Sequence, residues 1–214
     1  MRVLFIEPPK EIWFVMGDYL SPPLGIIQLA AYLEREINGI EIEVLDCNAE
    51  QVGWEELERR IECLKPDVVA SSALATCNTY TVVRTLEIAK QINPNTLTVT
   101  GGQHFTATAQ ESLETYPEID VIVRGEGEQT LAELVRRASE AFGDLSGMTK
   151  RFGQIKGISF RHNGKIIHNP PRPLIDNLDN LPYPGYHFIR ESMKKYHFAA
   201  MAGRGVPHAL IEGS

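Results

Sequence analysis

The stretch Thr98-Val99-Thr100-Gly101-Gly102-Gln103-His104-Phe105-Thr106 decides the fold. A short β-branched run stops at a glycine pair, and a helix is expected a few residues later, over Ala107–Thr115. A glycine pair at the carboxyl end of a buried strand permits unusual φ/ψ and lets a ligand approach the backbone closely. In open parallel sheets that edge is where ligands bind. The same residues also suit a tight strand-to-helix turn with no ligand. The flanking sequence has to separate the two.

Upstream, Val68–Ser72 is a second apolar run, between helical patterns over Trp54–Leu64 and Thr79–Ile92. Ser71-Ser72-Ala73-Leu74-Ala75-Thr76 follows it and lies opposite Gly101-Gly102 if the strands are parallel. Its hydroxyls can cap the next helix or hydrogen-bond a ligand. Arg2–Glu7 reads as a central strand buried on both faces, ended by Pro8-Pro9. A long loop, Glu11–Pro23, carries Trp13, Phe14, Met16 and Tyr19, either folded onto the core or forming an apolar wall for a flat ligand. A helix over Leu24–Ile37 and a strand over Ile40–Asp46 come next.

Downstream, Ile119–Val123 is a fifth strand. Arg124-Gly125-Glu126-Gly127-Glu128-Gln129-Thr130 then opens a helix over Leu131–Phe142. Gly125 and Gly127 again allow close backbone approach, and Glu126 and Glu128 suit the positive end of a helix. Five strands alternating with helices predict a doubly wound α/β fold. Neither G-x-G-x-x-G after the first strand nor a Walker lysine loop is present, which argues against NAD and ATP. From Gly143 the composition changes. Gly157–Phe160 and Lys165–His168 predict a β-hairpin around Asn163-Gly164, and Asn169–Pro184 an extended, proline-rich connector.

The 214 residues suffice for one α/β domain with an appendage. A net charge of −7, with no basic stripe, argues against nucleic acid or an anionic membrane surface as partner. No apolar run approaches spanning length, and the first strand lacks the features of a signal peptide. Cys47, Cys63 and Cys77 are scattered, without metal-ligand spacing, and fit a reducing cytoplasm. Cys63 is expected to pack on a helix face as a small apolar residue.

Several stretches together resemble the cobalamin-binding domain of cobalamin-dependent radical SAM enzymes, the group of the anaerobic magnesium-protoporphyrin monomethyl ester cyclase. They are Glu7-Pro8-Pro9, Pro22-Pro23-Leu24-Gly25, Gly101-Gly102-Gln103-His104, Val123-Arg124-Gly125-Glu126-Gly127-Glu128 and Leu181-Pro182-Tyr183-Pro184. The resemblance implies a flavodoxin-like (Rossmann-like) five-stranded parallel sheet with a C-terminal hairpin and linker. It divides the chain into a cobalamin-binding domain over 1–143, a hairpin and linker over 144–200, and a cluster-loop remnant over 201–214. Ser72-Ala73-Leu74 matches the S-x-L motif, with Thr76 assisting. In the family such hydroxyls face the cofactor's nucleotide tail, and Gly101-Gly102 gives the tail room. Gly125, Glu126 and Gly127 complete the implied cofactor-binding set.

Two departures matter. The D-x-H-x-x-G loop that supplies a histidine to cobalt is absent, the corresponding residues being Glu7-Pro8-Pro9-Lys10-Glu11-Ile12. The implied state is cobalamin with its base displaced and no histidine below cobalt; a loop or helix-entry role suits His104 better than cobalt ligation. The cluster motif C-x-x-x-C-x-x-C is replaced by Val206, Leu210 and Gly213 in Gly205–Ser214, so no iron–sulfur cluster is expected in this chain. The implied role is cofactor domain for a radical SAM barrel in cis or trans, without SAM cleavage by this chain alone. A stand-alone corrinoid carrier and a degenerate interaction scaffold are the alternatives.

Overall fold

The computed structural model describes residues 1–10, 19–140 and 150–198. The first half comprises β1 (Arg2–Glu7), β2 (Tyr19–Leu20), α1 (Leu24–Glu36), β3 (Glu41–Asp46), α2 (Cys47–Glu50), α3 (Trp54–Leu64) and β4 (Val68–Ser72). Then come α4 (Thr79–Ile92), β5 (Leu97–Gly101), α5 (Gly102–Ala107), α6 (Ala109–Thr115), β6 (Val121–Val123) and α7 (Glu128–Ser139). The chain continues through β7 (Ile158–His162), β8 (Lys165–His168) and β9 (His197–Phe198).

The main sheet has seven strands in the order β3-β1-β4-β5-β6-β7-β8. The first five of that order are parallel. Their arrangement, second-first-third-fourth-fifth along the chain, is the flavodoxin-like order, with its topological switch between β1 and β4. The hairpin β7–β8 extends the sheet antiparallel to β6. Its turn has φ of 51° at Asn163 and 72° at Gly164, the two positive values that a type I′ turn needs.

Strand alternation builds two cores. Val3, Phe5, Ala70, Val99 and Val123 pack against α1 and α7. Leu4, Ile6, Val69 and Ile122 pack against α3, α4, α5 and α6. α1 earns its place by burying Ile26, Ile27, Ala30 and Leu33, one helical stripe.

Four local expectations change. The helix after the glycine pair starts at Gly102 itself, because the pair makes the whole turn, and it breaks at Thr108, whose hydroxyl bonds back to the His104 carbonyl at 2.9 Å. α7 starts at Glu128 rather than Leu131, and its expected end at Phe142 falls outside the described residues. The short α2 was not expected; the Asp46 carboxylate caps it, accepting from the N–H groups of Asn48 and Ala49 at 3.0 Å each. Cys63 is exposed, on the solvent side of α3, and does not pack as an apolar residue.

The connector is fastened along its length. Arg172 bonds Thr130 at 2.8 Å and pairs with Glu133. The Ile175 N–H donates to Glu126, Gln28 donates to the Pro182 carbonyl, and the Gly185 N–H donates to the Ile27 carbonyl. Beyond it, Ile189 and Tyr196 form a third core with Ile27 and Ala49, and β9 pairs with β2. Among the described residues no helix is long and apolar enough to cross a membrane.

Candidate functional site

Ser72 ends β4 and stands in register beside Gly101, the last residue of β5. By alternation with Ala70 and Val99, both face the α1–α7 side. Gly101 has extended backbone, and a Cβ there would lie 2.9 Å from the Val123 carbonyl oxygen. Gly127, just before α7, would place a Cβ 3.0 Å from Cδ2 of Leu29 on α1. Ser72, Gly101 and Gly127 therefore mark the junction where α1, α7 and the carboxyl ends of β4 to β6 approach one another closely, with Leu29 packed against Gly127 and the Val123 carbonyl against Gly101. Among the described residues the Ser72 hydroxyl has no hydrogen-bond partner; the Ser71 hydroxyl instead donates to the Ile6 carbonyl at 2.9 Å.

Gly102 has a reason of its own. Its φ is +86°, and a Cβ would come within 2.6 Å of the Ala73 carbonyl oxygen, so the backbones of the β4 and β5 loops touch only because glycine is there. Gly125 also has positive φ, +73°, with open space around it, and its N–H donates to the Thr106 hydroxyl at 3.2 Å.

The remaining candidates have mixed positions. Leu74 is 72% exposed in the loop after β4. The Thr76 hydroxyl lies 3.2 Å from Nδ1 of His104 rather than capping α4, whose N-cap residue is Asn78 with no side-chain cap. His104 is thus in the first turn of α5 and tied to the neighbouring loop. The Glu126 carboxylate accepts from the Ile175 N–H at 2.6 Å and is turned to the connector. Arg124 supplies the adjoining stitch: its guanidinium donates to the carbonyls of Ile158 and Asn169, and burial pushes its pKa down.

The other half of the rim holds groups that the sequence did not single out. Asp46 and Tyr196 are both 1% exposed, and the Tyr196 hydroxyl donates to Asp46 at 3.0 Å. Burial raises the pKa of Asp46, opposed by its three hydrogen bonds, and burial beside Asp46 raises that of Tyr196. Glu7, paired with Lys10 at 2.7 Å, also has its pKa raised by burial. Asn48 joins the two loops, donating to the Pro8 carbonyl and accepting from the Lys10 N–H, each at 2.9 Å. The one available signal was Asp46-Cys47-Asn48 at a strand end, an N-cap pattern; its partner Tyr196 is 150 residues away. Among the described residues no three His, Cys, Asp or Glu side chains converge as metal ligands. A cleft of about 360 Å³ lined by Ile61, Lys65, Pro66 and Ile92 lies at the opposite, amino-terminal edge of the sheet and has no part in this rim. The expected aromatic loop residues Trp13, Phe14 and Met16, and Val206, Leu210 and Gly213, lie outside the described residues.

A family profile for the B12 binding domain matches residues 17–135, more than half of the chain. An uncharacterised methyltransferase of Pyrococcus horikoshii is 36% identical over 99% of this chain and 42% of its own length. Anaerobic magnesium-protoporphyrin IX monomethyl ester cyclases are similar too: that of Cereibacter sphaeroides is 34% identical over 85% of this chain and 28% of its own length. That of Synechocystis is 28% identical over 97% of this chain and 41% of its own. The chain thus spans less than half the length of these relatives. Matching profile, sheet order and small-residue rim agree: the chain belongs to the B12-binding domain family.

Proposed function

We propose that this chain holds cobalamin at the carboxyl rim of its sheet and serves as the cofactor domain of a cobalamin-dependent radical SAM enzyme. The observation that carries the reading is the small-residue junction of Ser72, Gly101 and Gly127 between α1, α7 and the strand ends, the slot this reading assigns to the cofactor's tail: two of the three positions have no side chain and the third offers an uncommitted hydroxyl. A cofactor tail entering between sheet and helices needs small walls, and its polar atoms need partners once buried. Ser72 would bond the tail, Leu29 would turn aside from Gly127 to admit it, and exposed Leu74 would offer apolar surface to the ring. Gly102 keeps the β4 and β5 loops in contact beneath it, and Thr76 orients His104. When bound, cobalamin supplies a cobalt centre that carries a methyl group or assists redox chemistry.

The names of the relatives, a methyltransferase and ester cyclases, support a methyl-transfer or cyclase-type partner reaction. The absence of D-x-H-x-x-G supports cobalamin with its base displaced and no histidine on cobalt. Val206, Leu210 and Gly213 at the cluster positions support a chain that holds no iron–sulfur cluster and cleaves no SAM by itself.

The test is gel filtration after incubation with hydroxocobalamin, using Ser72→Phe, which fills the slot without straining the backbone. Wild type should retain the corrinoid, and the variant should bind about 100-fold more weakly, roughly 2.7 kcal/mol, with unchanged circular dichroism. Undiminished retention would move the site elsewhere. The same preparation treated anaerobically with iron and sulfide should hold no stoichiometric iron after desalting; stoichiometric iron would overturn the reading of the C-terminal loop.

A further inference from the structure

We propose that the connector is a strap that holds the slot between α1 and α7 narrow, with Glu126 as its buckle. The inference rests on the corrinoid reading above. It starts from Leu29, whose methyl group lies 3.0 Å from where a Cβ of Gly127 would be and 3.6 Å away with its second methyl. The mouth of the slot is therefore already filled by a leucine. Anything entering beside Gly127 must turn Leu29 aside or part the two helices.

The connector opposes that parting because it is tied to both. On the α7 side, the Ile175 N–H donates to the Glu126 carboxylate at 2.6 Å, and Arg172 bonds Thr130 at 2.8 Å and pairs with Glu133. On the α1 side, Gln28 donates to the Pro182 carbonyl and the Gly185 N–H donates to the Ile27 carbonyl, each at 3.0 Å. Arg35 of α1 also donates to the Asn180 carbonyl at 2.6 Å, so only residues 176–179 lie between the two sets of ties, and with Leu178–Asn180 folded into a 3-10 turn the span is short. Glu126 accordingly acts on ligand entry as a positioning residue, through the connector and not by touching the ligand. Linkage then requires the converse: whatever fraction the strap takes from binding, binding takes from the strap.

The experiment compares hydroxocobalamin with aquocobinamide, which has the corrin ring but no nucleotide tail. Stopped-flow absorbance gives association rates and affinities for wild type, Glu126→Ala, Glu126→Gln and Arg172→Ala. Releasing the strap in Glu126→Ala should tighten and speed cobalamin binding about tenfold, leaving cobinamide unchanged. Glu126→Gln should return toward wild type, since its amide oxygen still accepts from Ile175. Arg172→Ala should change in the same direction as Glu126→Ala and stands in for it should that variant misfold. Amide hydrogen exchange at Ile175 should rise about tenfold on saturation with cobalamin and stay constant with cobinamide. Equal effects on both corrinoids, or none on either, would overturn the strap while leaving the corrinoid reading intact. Failure of wild type to bind either corrinoid would overturn that reading and the strap with it.

Discussion

The two halves of the carboxyl rim are built on opposite principles. At the ends of β1 and β3, polar groups are paired, the central ones buried: Asp46 with Tyr196 and the α2 backbone, half-buried Glu7 with exposed Lys10, Asn48 with both loops. At the ends of β4 and β5 and just before α7 stand Ser72, Gly101 and Gly127, small or without a side chain, and the Ser72 hydroxyl has no partner among the described residues. Buried polar groups rigidify a fold only when they are satisfied, so the first half is an anchor. It fixes Tyr196, and with it the point where the chain passes to β9, against the rim. On the proposed reading the second half receives the ligand, on the side of α1 and α7. Folding and the proposed binding then fall to neighbouring stretches of one sheet edge.

The contrast can be broken most sharply through the cysteines. Cys47 lies in the anchor half, 1% exposed, and burial together with Asp46 and Glu50 pushes its thiol pKa far up. Cys63 and Cys77 are exposed. Two thiols should therefore titrate rapidly with Ellman's reagent in the native protein. The third should react only through opening of the anchor, on the order of a thousandfold more slowly. Three fast thiols would mean that the anchor half is not closed.

Next in size is the anchor itself. Asp46→Ala removes the cap of α2 and leaves the Tyr196 hydroxyl buried without its acceptor, a loss of about 2–4 kcal/mol in urea denaturation. Tyr196→Phe keeps the ring in its core and removes only the hydroxyl donor, so about 1 kcal/mol is expected. A loss for Asp46→Ala within about 0.5 kcal/mol, the range of an ordinary surface change, would demote the pair to a bystander.

The parts of this architecture that were legible in the sequence are those that neighbours in the chain decide. Trp54–Leu64, Val68–Ser72 and Thr79–Ile92 have the bounds their periodicity predicts. The parallel order followed from alternation of strands and helices, and Asn163-Gly164 announced its turn. Ser72 and Gly101 stand side by side because strand ends of a parallel sheet share an edge. Long-range pairings were not legible. Nothing near Asp46 names Tyr196, and nothing near Glu126 names Ile175, so a carboxylate assigned to the cofactor set proved to hold the connector. Thr76 was open to a capping role, but the hydroxyl turned to His104, a residue brought near by the sheet and not by the chain. Cys63 shows the reverse error: two residues beyond Ile61, about 200° round the helix, it stands on the face away from the buried stripe of Leu57 and Ile61.

The smallest expected effect sharpens the comparison because it asks what the anchor costs. Glu7 is the register partner of Asp46 at the rim, with burial as the largest influence on its carboxyl and Asp46 adding to it. Both raise its pKa above the ordinary 4.5, and the ion pair with Lys10 at 2.7 Å opposes them without cancelling them. A carboxyl whose pKa is higher in the folded than in the unfolded chain binds its proton more tightly when folded. Its contribution to stability is therefore full below the unfolded pKa and is lost as pH rises through the folded one. Glu7→Gln cannot titrate, so the stability of wild type minus that of the variant should fall as pH rises upward from about 4. Asp46 has a raised pKa of the same sign, but it is present in both proteins and drops out of the difference to first order. Urea denaturation of the two proteins between pH 4 and 8, at matched ionic strength, measures it. A difference that rises with pH would show that the Lys10 pair outweighs burial, and that Glu7 supports the anchor as a charge instead of being tolerated by it.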